Sequence, residues 1–172
     1  MPDSHAIPHQ DHAGAPAWHG SGLPTKRMAA GMLFSDPDGR VLFVQPTYKP
    51  QWEIPGGVVE ADESPYAAAA REVAEELGLS VAPGRLLVVD WAPARPGVVD
   101  GLIVIFDGGV LSADEVARIT VPADELAGFA FCTVDEARPL LTDRNVRRVA
   151  AALRACEDGT VAYLDNGQPP DR

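Results

Sequence analysis

Between Glu53 and Glu76 the chain carries seven carboxylates, Glu53, Glu60, Asp62, Glu63, Glu72, Glu75 and Glu76, against a single cation, Arg71. Glu72, Glu75 and Glu76 are spaced i, i+3 and i+4, which gathers them on one face of a helix. Like charges at that spacing repel by about 0.2–0.5 kcal/mol per pair, and a helix has no structural need of them. A divalent cation removes the repulsion and supplies the reason. Carboxylate oxygens suit Mg²⁺ or Mn²⁺, hard ions that keep waters and share their shell with substrate phosphates. Arg71, one turn before Glu75, can hold and orient a carboxylate. Gly56-Gly57 ahead of the helix allows close backbone approach, and a carbonyl there is a further oxygen donor. The chemistry this set supports is attack of water on phosphorus, with charge neutralised on the phosphate oxygens and a water deprotonated near neutral pH. A carboxylate is the natural base, because the four histidines, His5, His9, His12 and His19, all precede residue 20. A histidine base or a Ser–His–Asp triad is therefore excluded from the rest of the chain unless that segment folds back. The plainer alternative is a solvated acidic face.

The helix that must carry these residues is well punctuated. Ser64-Pro65 starts it, with Ser as N-cap and Pro in the first turn, and Gly78 stands where a C′ glycine belongs. At about 100° per residue, Tyr66, Ala70, Val73 and Leu77 form the packing stripe, with the glutamate face turned about 140° from it. Around it, Lys26–Phe34 reads as a strand, Asp36–Gly39 as a turn and Val41–Gln45 as the return strand. A short strand is expected near Glu53–Ile54. Leu86–Trp91 and Leu102–Phe106 read as buried strands separated by a Pro-rich loop, and Phe129–Cys132 as another. Helices are expected over Val134–Leu141 and Asn145–Cys156, with a final short strand at Val161–Leu164.

The length of 172 residues is room for one ordinary domain with a core. Residues 1–24, rich in Pro, Gly, Ala and His, read as a loosely attached arm; 25–165 as the domain; 166–172 as a tail. The net charge of −11 argues against a chain that coats nucleic acid or an anionic membrane. No apolar run approaches the roughly 18 residues of a membrane helix. Two cysteines, Cys132 and Cys156, lack metal-site spacing and make no disulfide framework, so a reduced, cytoplasmic setting is the default.

The whole spacing goes further than the three glutamates. Gly57 is followed after five residues by Glu63, and seven residues later come Arg71-Glu72, Val73, Glu75-Glu76, Gly78 and Leu79. This resembles the Nudix box, G-x5-E-x7-R-E-U-x-E-E-x-G-U with U bulky aliphatic, at every defined position, and Trp52–Gly57 is similar to that family's lead-in. The resemblance implies an α/β fold, an α/β/α sandwich around a mixed sheet. It implies Mg²⁺-dependent hydrolysis of a nucleoside diphosphate linked to a group X, with Mn²⁺ as a substitute. It makes Glu72 and Glu76 the principal metal ligands and Glu75 a ligand or the base for the attacking water. The Gly56 carbonyl completes the metal site, Arg71 orients the glutamates, and Glu63 supports the loop–helix–loop. Glu125, on a loop before a strand, matches a further glutamate of the family, as an added ligand or the base.

Substrate contacts are drawn from Tyr48, Trp91 and Arg95, since aromatic rings stack on bases and cations meet phosphates; packing or plain exposure is the alternative for each. Nucleotide sugars or ADP-ribose-like compounds rank ahead of nucleoside triphosphates. RNA decapping is disfavoured by the lack of a basic tract. A homodimer is left open by the resemblance. The competing readings are a Nudix-fold sensor that binds a nucleotide without turnover, and an acidic protein-binding face.

Overall fold

A computed structural model describes residues 24–170. The arm expected at 1–24, with its four histidines, lies outside these except for Pro24. The described chain folds into seven strands and four helices: β1 Arg27–Ser35, β2 Val41–Pro46, β3 Gly56–Val58, α1 Pro65–Leu77, β4 Leu86–Ala92, β5 Gly101–Val110, α2 Ala113–Val116, β6 Leu126–Cys132, α3 Val134–Ala137, α4 Asp143–Asp158 and β7 Ala162–Asp165. The strands form one mixed sheet in the order β6-β2-β1-β5-β4-β7, with β3 added against β1.

Alternation along the strands divides the core into two layers. Met32 and Phe34 of β1, Leu42 and Val44 of β2, and Val104 and Phe106 of β5 face α1, meeting Ala68, Ala69, Val73 and Leu77. Leu33, Val41, Phe43 and Ile105 face the other way, onto Val146, Val149 and Ala152 of α4. This is the expected α/β/α sandwich. None of the helices among the described residues is long and apolar enough to cross a membrane. Cys132 and Cys156 are unpaired and half-buried.

The sheet has a gap on purpose. β1 and β2 pair only beside their turn, Ser35 opposite Val41. That turn is closed by the Asp36 carboxylate, which accepts from the Asp38 and Arg40 amides. Beyond the turn the strands splay, and residues 53–58 fill the wedge. Val44 and Glu53 exchange backbone hydrogen bonds on one side, and the Met32 amide donates to the Pro55 carbonyl on the other. Gly56 and Gly57 then lie opposite Gly31 and Ala30. Pairing with β1 thus begins at Gly56 rather than at Glu53–Ile54 as expected, and Glu53 makes only a bridge; Pro55 has no N–H to continue a ladder.

α1 is capped as expected. Ser64 accepts from the Ala67 amide, and Gly78 is left-handed at φ 67°. Its buried face is the expected one only in its second half, at Val73 and Leu77. Ala68 and Ala69 pack beside Val73 and Leu77, whereas Tyr66 is exposed and meets Phe106 edge-on at 5.7 Å. Two alanines in place of a tyrosine let the helix lie close on β1 and β3, and this turns Glu76 inward. The helix expected to reach Leu141 stops at Ala137, two residues before Pro139, which cannot donate the next helical bond. α4 begins at Asp143 because Thr142 caps it. α2 was not expected, although Ser112-x-x-Glu115 is a complete capping box.

Residues 166–168, at the start of the segment expected as a tail, are tied into the fold. The Asn166 amide donates to the Trp91 carbonyl, and the Gly167 amide to the fully buried Asp90. Asp90 also accepts from Arg148 of α4. Asp90→Ala leaves Arg148 and the Gly167 amide without their acceptor, so urea denaturation should show a loss of about 3–5 kcal/mol. A loss below 1 kcal/mol would mean that this buried pair does not hold β4, α4 and the chain end together.

Candidate active site

Arg71 organises the acidic helix. Its Nε and Nη2 grip Glu63 at 3.0 Å each, and its Nη1 lies 2.9 Å from both Glu72 and Glu75. Nη2 also donates to the Val58 carbonyl, tying the helix to β3. Every arm of the guanidinium fork is therefore used. Glu63 in turn accepts from the Glu60 amide, and these donors hold its carboxyl below the ordinary range, Arg71 foremost.

Glu76 lies on the other flank. It is buried, and its carboxylate accepts from the Gly56 amide at 2.8 Å. Burial, reinforced by the charges of Glu72, Glu53 and Glu125, pushes its carboxyl up to about 8, against the lowering effect of the Gly56 bond. Glu72 is also raised, by burial first, with Glu75 and Glu125 adding to it against Arg71. Two carboxyl groups are thus gathered where charge is disfavoured, on a helix face shared with a third, and an approaching cation would relieve both.

The two glycines make this proximity attainable. A Cβ on Gly57 would sit 2.4 Å from the Glu72 carboxyl carbon, so Glu72 occupies the space a side chain would take. A Cβ on Gly56, where φ is 145°, would meet the Ala30 carbonyl oxygen at 2.4 Å. On their other side both glycines line a cavity of about 260 Å³ between the sheet and α4. Ile103, Ile105, Leu141 and Val149 give it an apolar floor, and Tyr48, Lys49 and Glu53 stand along its rim. A wall of bare backbone separates the cavity from the carboxylates.

The sequence-derived candidates fall into three groups. Arg71, Glu72, Glu75 and Glu76 come together, with Gly56 meeting Glu76 through its N–H; Glu125 is close enough for its charge to bear on Glu72 and Glu76. Tyr48 lines the cavity and is exposed, with the Lys49 ammonium 5.2 Å from its ring centre. Trp91 does not line it: its indole N–H donates to Asp100 at 3.1 Å, at the foot of the β4–β5 loop. Arg95, on that loop, lines a neighbouring pocket instead. Glu53 and Arg148 were not singled out in the sequence. Glu53, paired with Lys49 at 2.7 Å, stood in the acidic run, but Arg148 gave no signal, since its neighbours are settled only by the fold.

Oxygen donors of this kind fit a hard divalent cation. Among the described residues no three acidic, histidine or cysteine side chains form a ready cage. Arg71 takes one oxygen each of Glu72 and Glu75, and the Gly56 amide one oxygen of Glu76, so each carboxylate keeps a second oxygen for a cation. A Gly57→Ala change tests the cradle. The obstructed group is the free end of a side chain, so the melting temperature should stay within a few degrees while turnover falls at least tenfold. Gly56→Ala, which meets backbone, should lower the melting temperature as well.

The family model described as NUDIX domain matches residues 25–153. Diphosphoinositol polyphosphate phosphohydrolase 2 of Rattus norvegicus is 48% identical over 64 residues, 36% of this chain and 36% of that protein. A MutT-like protein of Streptomyces ambofaciens is 50% identical over 52 residues, 30% of this chain and 33% of its own. The chain thus matches about a third of the length of these relatives. An ADP-ribose pyrophosphatase structure from Streptococcus suis superposes with a TM-score of 0.63 at 22% identity, covering 82% of this chain and 99% of that one, a likeness of fold.

Proposed function

The chain belongs to the Nudix domain family, and on that premise we propose that it is a Mg²⁺-dependent pyrophosphohydrolase. Its substrate is a small nucleotide derivative, a nucleoside diphosphate joined to a group X, with nucleotide sugars or ADP-ribose-like compounds favoured over nucleoside triphosphates. The observation that carries the reading is the set of glutamates set against the glycine wall of a ligand-sized cavity.

In this reading Glu72, Glu75, Glu76 and the Gly56 carbonyl would hold Mg²⁺, or Mn²⁺ in its place. Such an ion would supply neutralisation of phosphate charge and acidification of the attacking water. Arg71 sets the angle of Glu72 and Glu75 and, through Glu63, anchors both to the loop before the helix. Glu75, the most exposed of the three, or Glu125 takes the proton of the attacking water; either can pass it to solvent. Tyr48 offers a stacking face at the cavity rim, and Arg95 a cation beyond it. Trp91 contributes by holding the loop that carries Arg95.

The complete glutamate set favours turnover over a silent nucleotide sensor, because a sensor has no need to retain repelling carboxylates. Two measurements test the proposal. Mg²⁺ at a hundred times its dissociation constant should stabilise the protein by about 2.7 kcal/mol, seen as a rise in melting temperature, and Glu72→Gln should remove most of that rise. Glu76→Gln should keep the fold and lower hydrolysis of the best substrate from a panel of nucleotide sugars, ADP-ribose and nucleoside triphosphates by at least 100-fold. An active Glu76→Gln enzyme would falsify the ligand set.

A further inference from the structure

A second pocket, of about 380 Å³, adjoins the cavity, sharing Lys49, Glu53, Ile103, Asn145 and Arg148 with it. Five of the chain's fourteen Lys and Arg residues line it: Arg27, Lys49, Arg95, Arg144 and Arg148. They converge from four places, the start of β1, the loop after β2, the β4–β5 loop and α4. In a chain of net charge −11 this concentration does not follow from composition.

Its compensation is incomplete. Glu53 is the one acid lining the pocket, and Lys49 pairs with it. Asp90, fully buried and outside the pocket lining, answers Arg148. Arg27, Arg95 and Arg144 have no carboxylate partner among the described residues, and Arg27 donates only to the Val99 carbonyl. Arg148 is nearly buried, and its Nη2 is a buried donor without an acceptor among the described residues. Burial first, and then the charges of Arg144 and Arg27, hold its guanidinium below the ordinary value, so the three arginines are crowded against one another. Thr142, the N-cap of the sixteen-residue α4, also lines the pocket, so the positive end of that helix dipole faces it.

Crowded guanidiniums, a buried spare donor and a helix N-terminus are together a complement to phosphate, which accepts forked hydrogen bonds and carries up to two charges. We propose that this pocket is a phosphomonoester subsite. It takes the far part of the substrate, and X therefore carries at least one phosphate ester besides the diphosphate hydrolysed at the acidic helix. This rests on the pyrophosphohydrolase reading above and narrows its substrate to the phosphate-bearing members of the class. Lys49 and Arg148 belong to both pockets and mark where such a substrate passes from one to the other.

The test uses matched diphosphates that differ by one phosphate ester, coenzyme A against dephospho-coenzyme A and NADPH against NADH, and calorimetric binding of inositol hexakisphosphate in EDTA. Wild-type protein should favour the phosphorylated member of at least one pair tenfold or more in kcat/KM. It should also bind the hexakisphosphate with an affinity that falls as salt rises. Arg95→Ala/Arg144→Ala, whose side chains make no hydrogen bond among the described residues, should collapse the kcat/KM ratio towards one and weaken hexakisphosphate binding at least tenfold. Lysine at both positions should restore part of each effect. Turnover with equal kcat/KM for both members of each pair and no charge-dependent binding overturns the subsite and leaves the hydrolase standing. Charge-dependent binding without turnover of any diphosphate does the reverse. Binding and ratio unchanged in the double variant also overturn it.

Discussion

The molecule depends on the failure of two neighbouring strands to stay paired. β1 and β2 meet only beside their turn, and the wedge they leave must be filled by something that satisfies backbone groups on both sides. Residues 53–58 do this, with Glu53 bonded to β2 and Pro55–Val58 to β1. A full side chain at Gly56 would strike β1, and one at Gly57 would displace Glu72. The wedge therefore fixes three things together: where the thin wall lies, how close α1 approaches, and which carboxylates touch the backbone.

The charges are then sorted by that wall. On the α1 side stand the acids, with Arg71 holding three of them and Glu76 buried without a cation. On the α4 side stand Lys49 and the arginines of the second pocket. A net charge of −11 hides this division. A molecule with a metal-liganded diphosphate at one end and free phosphate at the other would meet a favourable potential at both ends, which charge averaged over the whole surface does not reveal.

Much of this was legible in the sequence, unevenly. The glutamate spacing, the caps of α1 and the alternating strands are local patterns, and the site they describe assembles at Arg71 through Glu76. The packing face of α1 was read correctly at Val73 and Leu77 and misread in its first turn, because helical periodicity ranks residues by hydrophobicity and close approach to a sheet selected the small Ala68 and Ala69 over Tyr66. The pairing of Gly56–Val58 was missed because glycines are poor strand formers and the partner, β1, is far away in sequence. Arg27, Arg144 and Arg148 could not be grouped, since nothing local in positions 27 and 144–148 says that they share a pocket. Trp91 was singled out as an aromatic next to a cation; the fold adds that its indole N–H is bonded to Asp100, a partner nine residues on that no local pattern marks.

Asp90 joins β4 to α4 and to the chain end from inside the core. One of its oxygens receives the backbone just after β7, and the other receives Arg148, whose far end looks into both pockets. The turn after the last strand therefore braces Arg148 and the two pockets it lines. Damage there, such as a bulky fusion that prevents Gly167 from docking, would be felt at Asp90, 77 positions earlier in the sequence, and through it at Arg148. Loss of function mapped to the end of the chain would then report on the buried carboxylate, with the acidic helix itself untouched.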